Sequence, residues 1–299
     1  MYDLNKQLFF ADVPFLGIHV SGKSARSFLQ RLVTVDMRQI SLNQASRGLL
    51  LSGNGKILGA FTLLCENENS YLLISKTLIA QNLARELENL HFSEDLIISE
   101  CEGFGFFVFG ENSFDVFDEK TLSSFSMNSS ITRNEDNTIF PWHTSSIGKG
   151  YIWPVIDYHS AYDSFFVGDQ ILKEKIETCF IQKGGILLQD DNFWEYQRIK
   201  IILPKFQKEW DFDSMPLNVG FHTWIHRNKG CYPGQEVIER TFNVGHPPLV
   251  LVQITGISDL PQEVRRNFAL MRELDTQCQS TNYLFIFFFF LYVFFICYF

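Results

Sequence analysis

Leu16 to Val20 reads as a short strand, and Ser21-Gly22-Lys23-Ser24 opens a helix that runs from Ala25 through Phe28, Leu29 and Leu32. Two further apolar runs, Gly48 to Ser52 and Lys56 to Leu64, flank Gly53-Asn54-Gly55. An Asn-Gly step between such runs predicts a tight hairpin, because it accepts the positive backbone dihedrals of the turn. Tyr71-Leu72-Leu73-Ile74 predicts another strand, leading into a helix from about Thr77 to Leu90 with Leu78, Ile79, Leu83, Leu87 and Leu90 on one apolar face. Leu96-Ile97-Ile98 and Phe104 to Phe109 then read as a second pair of strands. The order β-β-β-α-β-β describes an antiparallel sheet with a helix on one face, an α+β fold rather than a doubly wound one.

Farther along, Glu111 to Asn137 is rich in Ser, Asn and Asp and reads as a surface excursion. Gly150 to Ile156 predicts a strand and Asp169 to Phe180 a helix. A second helix is expected from Asp190 to Lys200, carrying Trp194, Glu195 and Arg198, and the chain from Pro204 to Asn218 reads as a loop. The last 17 residues, Tyr283 to Phe299, are uninterrupted apolar sequence. As a helix they would span roughly 26 Å, the lower edge of what crosses a bilayer. A tail anchor and a buried core element are therefore open, but a Phe-rich run is what a T-tract encodes, and a shifted reading frame in an AT-rich gene is the preferred account.

The chain has 299 residues and a net charge of −9, which argues against broad nucleic-acid wrapping and leaves room for a small anionic ligand. Lys56, Arg198, Lys200, Lys229 and Arg240 are the local cations that could receive one. Cys65, Cys101, Cys179, Cys231, Cys278 and Cys297 are scattered, without a C-x-x-C pair, so neither a zinc ribbon nor a disulfide scaffold is indicated. Cys65, Cys101 and Cys179 read as core thiols. Met1 to Lys6 lacks the basic and apolar regions of a signal peptide, which with the cysteine usage predicts a cytoplasmic body.

Two segments carry candidate chemistry. Gly17-Ile18-His19-Val20-Ser21-Gly22-Lys23-Ser24 formally matches a phosphate-binding loop, but Ile18-His19-Val20 are strand formers where such a loop needs exposed N–H groups. A strand-turn-helix is expected instead. The other segment is Lys229-Gly230-Cys231-Tyr232-Pro233-Gly234-Gln235-Glu236, a lone cysteine between two glycines at the mouth of a helix. Pro233 suits the first helical position, Gln235 and Glu236 fall in the first turn, and Arg240 lies towards the end. Unpaired N–H groups and the Lys229 ammonium would favour the Cys231 thiolate, and the glycines would let a ligand or partner approach the sulfur. The residues alone leave other readings open: a buried structural thiol, a Cys-His nucleophile with His222 or His226, or a three-ligand metal set of these histidines with Cys231.

The octapeptide resembles the signature of the YgfZ family of folate-binding proteins, with every signature position filled and Arg240 shortly behind. Trp194-Glu195-Tyr196-Gln197-Arg198-Ile199-Lys200, with Pro204 and Glu209, resembles a second family stretch, although Ile202 stands where glycine is usual. Phe28-Leu29-Gln30 with Thr34 and Asp36, followed by Gly53-Asn54-Gly55-Lys56, resembles a third. The resemblance runs from about Leu16 to about Gly256. It implies a multi-lobed fold like that of the glycine-cleavage aminomethyltransferase, with antiparallel sheets, flanking helices and a third, barrel-like lobe largely missing here. On that plan residues 1–47 and 140–245 form a first lobe with the cysteine motif, 48–139 a second, 246–282 a barrel remnant and 283–299 the apolar tail.

The resemblance also implies a function. It points to binding of tetrahydrofolate or a derivative and a role in iron–sulfur cluster assembly or repair, with Cys231 as the functional thiol and a possible iron ligand in a cluster shared transiently with a carrier or client protein. Glu195, Arg198, Lys229 and Arg240 are the residues it implies for folate. A pterin edge can donate to a carboxylate, and a glutamate tail needs cations. No segment matches the transferase's catalytic aspartate region, so a folate-dependent aminomethyl transferase is the alternative. Membrane association is expected only if the apolar tail is genuine.

Overall fold

The structure is a computed structural model that describes residues 9–109, 139–141, 143–144, 150–157, 160–167, 170–182, 184–187, 204–244, 249–255 and 283–289. One six-stranded antiparallel sheet runs in the order β6 (Ile97–Glu102), β2 (Phe15–Ser21), β5 (Ser70–Lys76), β4 (Ile57–Asn67), β3 (Gln44–Leu51) and β8 (Ile139–Pro141). The other six-stranded sheet runs β12 (Ile186–Leu187), β1 (Phe9–Val13), β7 (Phe104–Phe109), β11 (Ser160–Val167), β10 (Gly150–Asp157) and β9 (His143–Thr144), with β1 and β12 its one parallel pair. Helices α1 (Ala25–Leu32), α2 (Thr77–Leu90) and α3 (Gln170–Gln182) flank these sheets, and α4 (Gln235–Val244) follows the cysteine motif. The α+β class and the antiparallel sheets are as the sequence pattern predicts.

The strands expected at 96–98 and 104–109 both form, but the single sheet expected to hold them is corrected. β6 and β7 are separated only by Gly103 and belong to different sheets: β6 pairs with β2, and β7 pairs with β1. Val13 faces Gly105 and Leu16 faces Glu102, so one continuous register runs from sheet to sheet. Pro14, which has no N–H to give a ladder, and Gly103 mark the crossing. The boundary expected at residues 47 and 48 falls inside β3, and β2 pairs with β5 and β6 from the other side of it.

Each face of the first sheet carries its own core, because side chains alternate along a strand. Leu50, Phe61, Leu63 and Cys65 point towards α1 and α2, where they meet Phe28, Leu29, Leu83 and Leu87. Leu49, Leu51 and Ile57 pack instead with Trp210, Leu217, Phe221, Ile225, Tyr232 and Ile238. The segment 204–244 therefore covers a sheet face, and it is this burial that fixes the cysteine motif. In α2 the buried stripe is Ile79, Ala80, Leu83, Ala84 and Leu87. Leu78 and Leu90, expected on that stripe, are 56% and 42% exposed: Leu78 falls on nearly the opposite side of the helix, and Leu90, though in phase with Leu83 and Leu87, is its last residue.

The predicted hairpin forms between β3 and β4, with Leu51 facing Ile57. Its turn uses one positive dihedral, at Gly55 (φ +75°), and closes with Ser52 N–H donating to the Lys56 carbonyl at 2.9 Å. Gly17 to Ser21 is strand, as expected, and the following turn is not a phosphate cradle. Gly22 N–H donates to the Asn69 carbonyl and Ser24 N–H to the Asp95 carbonyl, so the backbone donors are already used. Lys23 is exposed and lies 3.9 Å from Asp95.

The start of the apolar tail is also strand. Tyr283–Phe289 (β14) lies antiparallel to Leu249–Thr255 (β13), with Leu249 facing Phe289 and Thr255 facing Tyr283. Among the described residues no helix is long and apolar enough to cross a membrane.

Candidate functional site

Three segments that stand far apart in the sequence meet here: the loop after α1, the β3–β4 turn, and residues 224–236. Thr34 is the first hub. Its hydroxyl donates to the Trp224 carbonyl (2.7 Å) and accepts from Leu49 N–H (2.9 Å), while its own carbonyl accepts from His226 N–H (3.1 Å). Asp36 is the second. Arg38 grips its two oxygens with Nε and Nη2, both at 2.8 Å, and Gln30 and Gln39 donate to it at 3.2 Å. The same Arg38 reaches the Asn228 carbonyl at 3.4 Å. The Arg38 hydrogen bonds hold the Asp36 carboxyl down at about 2 against the opposing effect of burial.

Lys229 makes the third tie. It is only 4% exposed, and its Nζ donates to the carbonyls of Gln30 (2.7 Å) and Val33. These belong to the C-terminal end of α1, where Thr34 N–H turns away to Leu49 and leaves the Gln30 carbonyl without a helical donor. A buried cation at that end satisfies the carbonyls and complements the helix dipole. Burial nevertheless penalises the ammonium and lowers its pKa to about 8. Tyr232 lies beneath it, with the ammonium 5.3 Å from the ring centre. The Tyr232 hydroxyl is buried without a partner among the described residues, and desolvation pushes its pKa up to about 12.

Lys229 and Tyr232 point inward, whereas Gly230 and Cys231 are exposed. Cys231 is thus presented on a two-residue bridge pinned at both ends. Its two glycines have different tasks. An added Cβ at Gly230 would meet nothing within 4 Å, in keeping with an open approach to the sulfur. Gly234 (φ +78°) instead packs against the hairpin turn, and an added Cβ would lie 2.6 Å from the Ser52 oxygen and 2.7 Å from Gly55 Cα. Its expected role in ligand access is therefore corrected to backbone packing. Pro233 is likewise not the first helical residue. α4 begins at Gln235, because Gly234 takes a left-handed conformation before the helix can start.

The remaining predicted residues are dispersed. Gln235 is half-buried at the helix start, and Arg240 pairs with Glu236 at 3.0 Å on the exposed surface, three-quarters or more of each side chain being in solvent. Glu195 and Arg198 lie outside the described residues. His222 is exposed on a 3-10 turn (Phe221–Trp224) and His226 is buried beyond it, so they do not share a helical face. His226 Nε2 lies 3.1 Å from Ser46 Oγ, and desolvation lowers its pKa to about 4, leaving a neutral imidazole. Among the described residues there is no group of three or more His, Cys, Asp or Glu that could hold a metal ion. Cys65 is buried as expected, while Cys101 is only half-buried.

Sequence reasoning missed Arg38, Ser46 and Asn218. Arg38 had a signal in the Asp36-x-Arg38 spacing; the others had none. Asn218 lines a cleft of about 340 Å³ on the far side of the hairpin turn, with Trp210, Met215 and Val219 as apolar walls and Glu209, Asp211 and Asp213 among its polar ones. The turn joins the cleft to the motif. Ile57 N–H donates to the Ser214 carbonyl (3.0 Å) and Lys56 pairs with Asp213 (2.6 Å), while Gly55 and Ser52 abut Gly234.

Two of the likenesses to known proteins bear on this fold and site. The tRNA-modifying protein YgfZ of Aliivibrio fischeri (strain MJ11) is 23% identical over 245 residues, 81% of this chain and 69% of that protein. The glycine cleavage system aminomethyltransferase T from Bartonella henselae matches in structure with a TM-score of 0.69 at 14% identity, over 84% of this chain and 67% of that one. No family model matches the chain. The chain is YgfZ-like in sequence and has the fold of the T protein.

Proposed function

We propose that this YgfZ-like chain is a folate-binding accessory factor for iron–sulfur cluster assembly or repair in the cytoplasm, with Cys231 as its functional thiol. The observation that carries the reading is the placement of Cys231: exposed, next to open space at Gly230, on a bridge held by two buried side chains. A thiolate is a suitable iron ligand, and a single cysteine supplies one of the four that a cluster usually takes. The cluster is cargo, and a carrier protein or small thiol provides the other ligands. The similar protein's name refers to tRNA modification. With a net charge of −9, the present chain acts on protein partners and not on RNA directly.

Folate binding is supported by the T-protein fold and by the resemblance at Glu195 and Arg198. The described residues fit the ligand in part. Arg240 is free to turn to an anionic tail, because an exposed i,i+4 pair is weakly held. Lys229 is committed to α1, so its part is to position the bridge. Folate would supply a one-carbon carrier or a pterin ring, and this chain's residues would hold and orient it.

The T-protein fold also favours a second reading, folate-dependent aminomethyl transfer. Cys231→Ser separates the two. On the first reading the variant keeps its fold and folate binding but no longer supports iron–sulfur enzyme activity in cells lacking the wild-type protein. Full support by the variant overturns that reading, and aminomethyl turnover that survives the substitution establishes the second.

A further inference from the structure

The cleft beside the hairpin turn is not used by the cysteine motif, and its chemistry is unlike that of a folate tail site. Asn218 is 8% exposed and lines the cleft, and among the described residues its Oδ1 has no hydrogen-bond partner. A buried acceptor left bare is costly, and what it needs is a donor. The polar wall around it carries three carboxylates, Glu209, Asp211 and Asp213, of which Asp213 is paired with Lys56 at 2.6 Å. Asp211 is exposed, and among the described residues its Oδ1 accepts from the short-range donors Asp213 N–H and Ser214 Oγ–H, both at 2.9 Å. Glu209 lies on the same wall, and Lys208 is the one cation among the lining residues. Trp210, Met215 and Val219 give the cleft apolar surface for a short hydrocarbon stem.

We infer that this cleft binds a small organic cation: an alkylammonium whose N–H groups donate to Asn218 Oδ1 and the Asp211 carboxylate while its stem lies on Trp210 and Met215. An unsatisfied acceptor and a carboxylate both call for a positively charged donor, and an anion would meet neither. The site also touches the thiol bridge through one short element. The turn 52–56 is bonded to Asp213 and Ser214 on one side and packed on Gly234 on the other, so a ligand here stiffens the base from which α4 and the Cys231 bridge start. The inference stands apart from the folate and cluster reading.

The test is a thermal-shift and calorimetric titration of the full chain with 1,4-diaminobutane, with 1,4-butanediol as the uncharged control of equal length. The expected result is saturable stabilisation by the diamine and none by the diol. Asn218→Leu should weaken binding at least tenfold without lowering the melting temperature of the free protein, since it removes an acceptor that has no partner. Asp211→Asn, at an exposed position, should also weaken binding several-fold. No saturation at millimolar diamine, equal binding of the diol, or full affinity in Asp211→Asn overturns the inference. If Asn218→Leu lowers the melting temperature, Asp211→Asn alone decides: weakened binding supports the site, and unchanged binding refutes it.

Discussion

Replacing each motif glycine by alanine separates packing from access. At Gly234 the backbone is left-handed (φ +78°), where an L side chain costs about 1–2 kcal/mol. The new Cβ would also lie 2.6 Å from the Ser52 oxygen, 2.7 Å from Gly55 Cα and 2.9 Å from Gly55 N. These are backbone atoms, held in place by the hydrogen bonds that close the turn, and they cannot rotate aside. Moving them adds an overpacking cost of about 1–3 kcal/mol. Gly234→Ala should therefore lose about 2–5 kcal/mol, which for a chain of this size is a fall of roughly 5–15 °C in melting temperature. Gly230→Ala meets no neighbour within 4 Å, and Gly230 is not among the positive-φ glycines. It should be neutral, or stabilising by about 0.4–1 kcal/mol through the unfolded chain. Urea and thermal unfolding of the two variants followed by near-UV circular dichroism measure both. A Gly234→Ala protein as stable as wild type, or a Gly230→Ala protein that falls as far, refutes the assignment of roles.

Further outcomes follow from the buried polar groups. Lys229→Met leaves the Gln30 and Val33 carbonyls without their donor, and it should lower stability by about 2 kcal/mol after relief of the buried charge; an unchanged urea midpoint would mean that the clamp is dispensable. His226 titrates near 4 when folded, against 6.5 ordinarily. Between those values the unfolded chain holds a proton that the folded chain lacks, so stability should fall as pH drops from about 6.5 to 4, by up to about 3 kcal/mol. Asp36, held at about 2 against 3.8, extends the loss below pH 4. His226→Gln should flatten the upper window and leave the lower one, and urea midpoints measured across pH would reveal a failure of either.

The local patterns were legible where one physical signal dominated. Asn54-Gly55 gave the hairpin, and the 3.6-residue spacing of Ile79, Leu83 and Leu87 gave α2. The extent of the buried stripe was less secure, because Leu78 and Leu90 are as apolar as their neighbours and only the sheet decides how far round and how far along the helix is covered. The sharing of one ladder between two sheets was invisible, since β1 and β7 meet across some ninety residues of chain. The candidate site was half legible. The three segments were picked out by their residues, but a sequence does not say whether the Lys229 ammonium faces a ligand or the end of a helix. Nor does it say whether a glycine clears a path, as at Gly230, or admits a neighbouring backbone, as at Gly234.

The central claim, that this T-protein-like fold binds folate beside a reactive thiol, is tested most directly by titrating tetrahydrofolate into the full chain while following the alkylation rate of Cys231. The account predicts saturable binding at one site and a change in Cys231 labelling as that site fills. A flat titration together with labelling that ignores the ligand would contradict it.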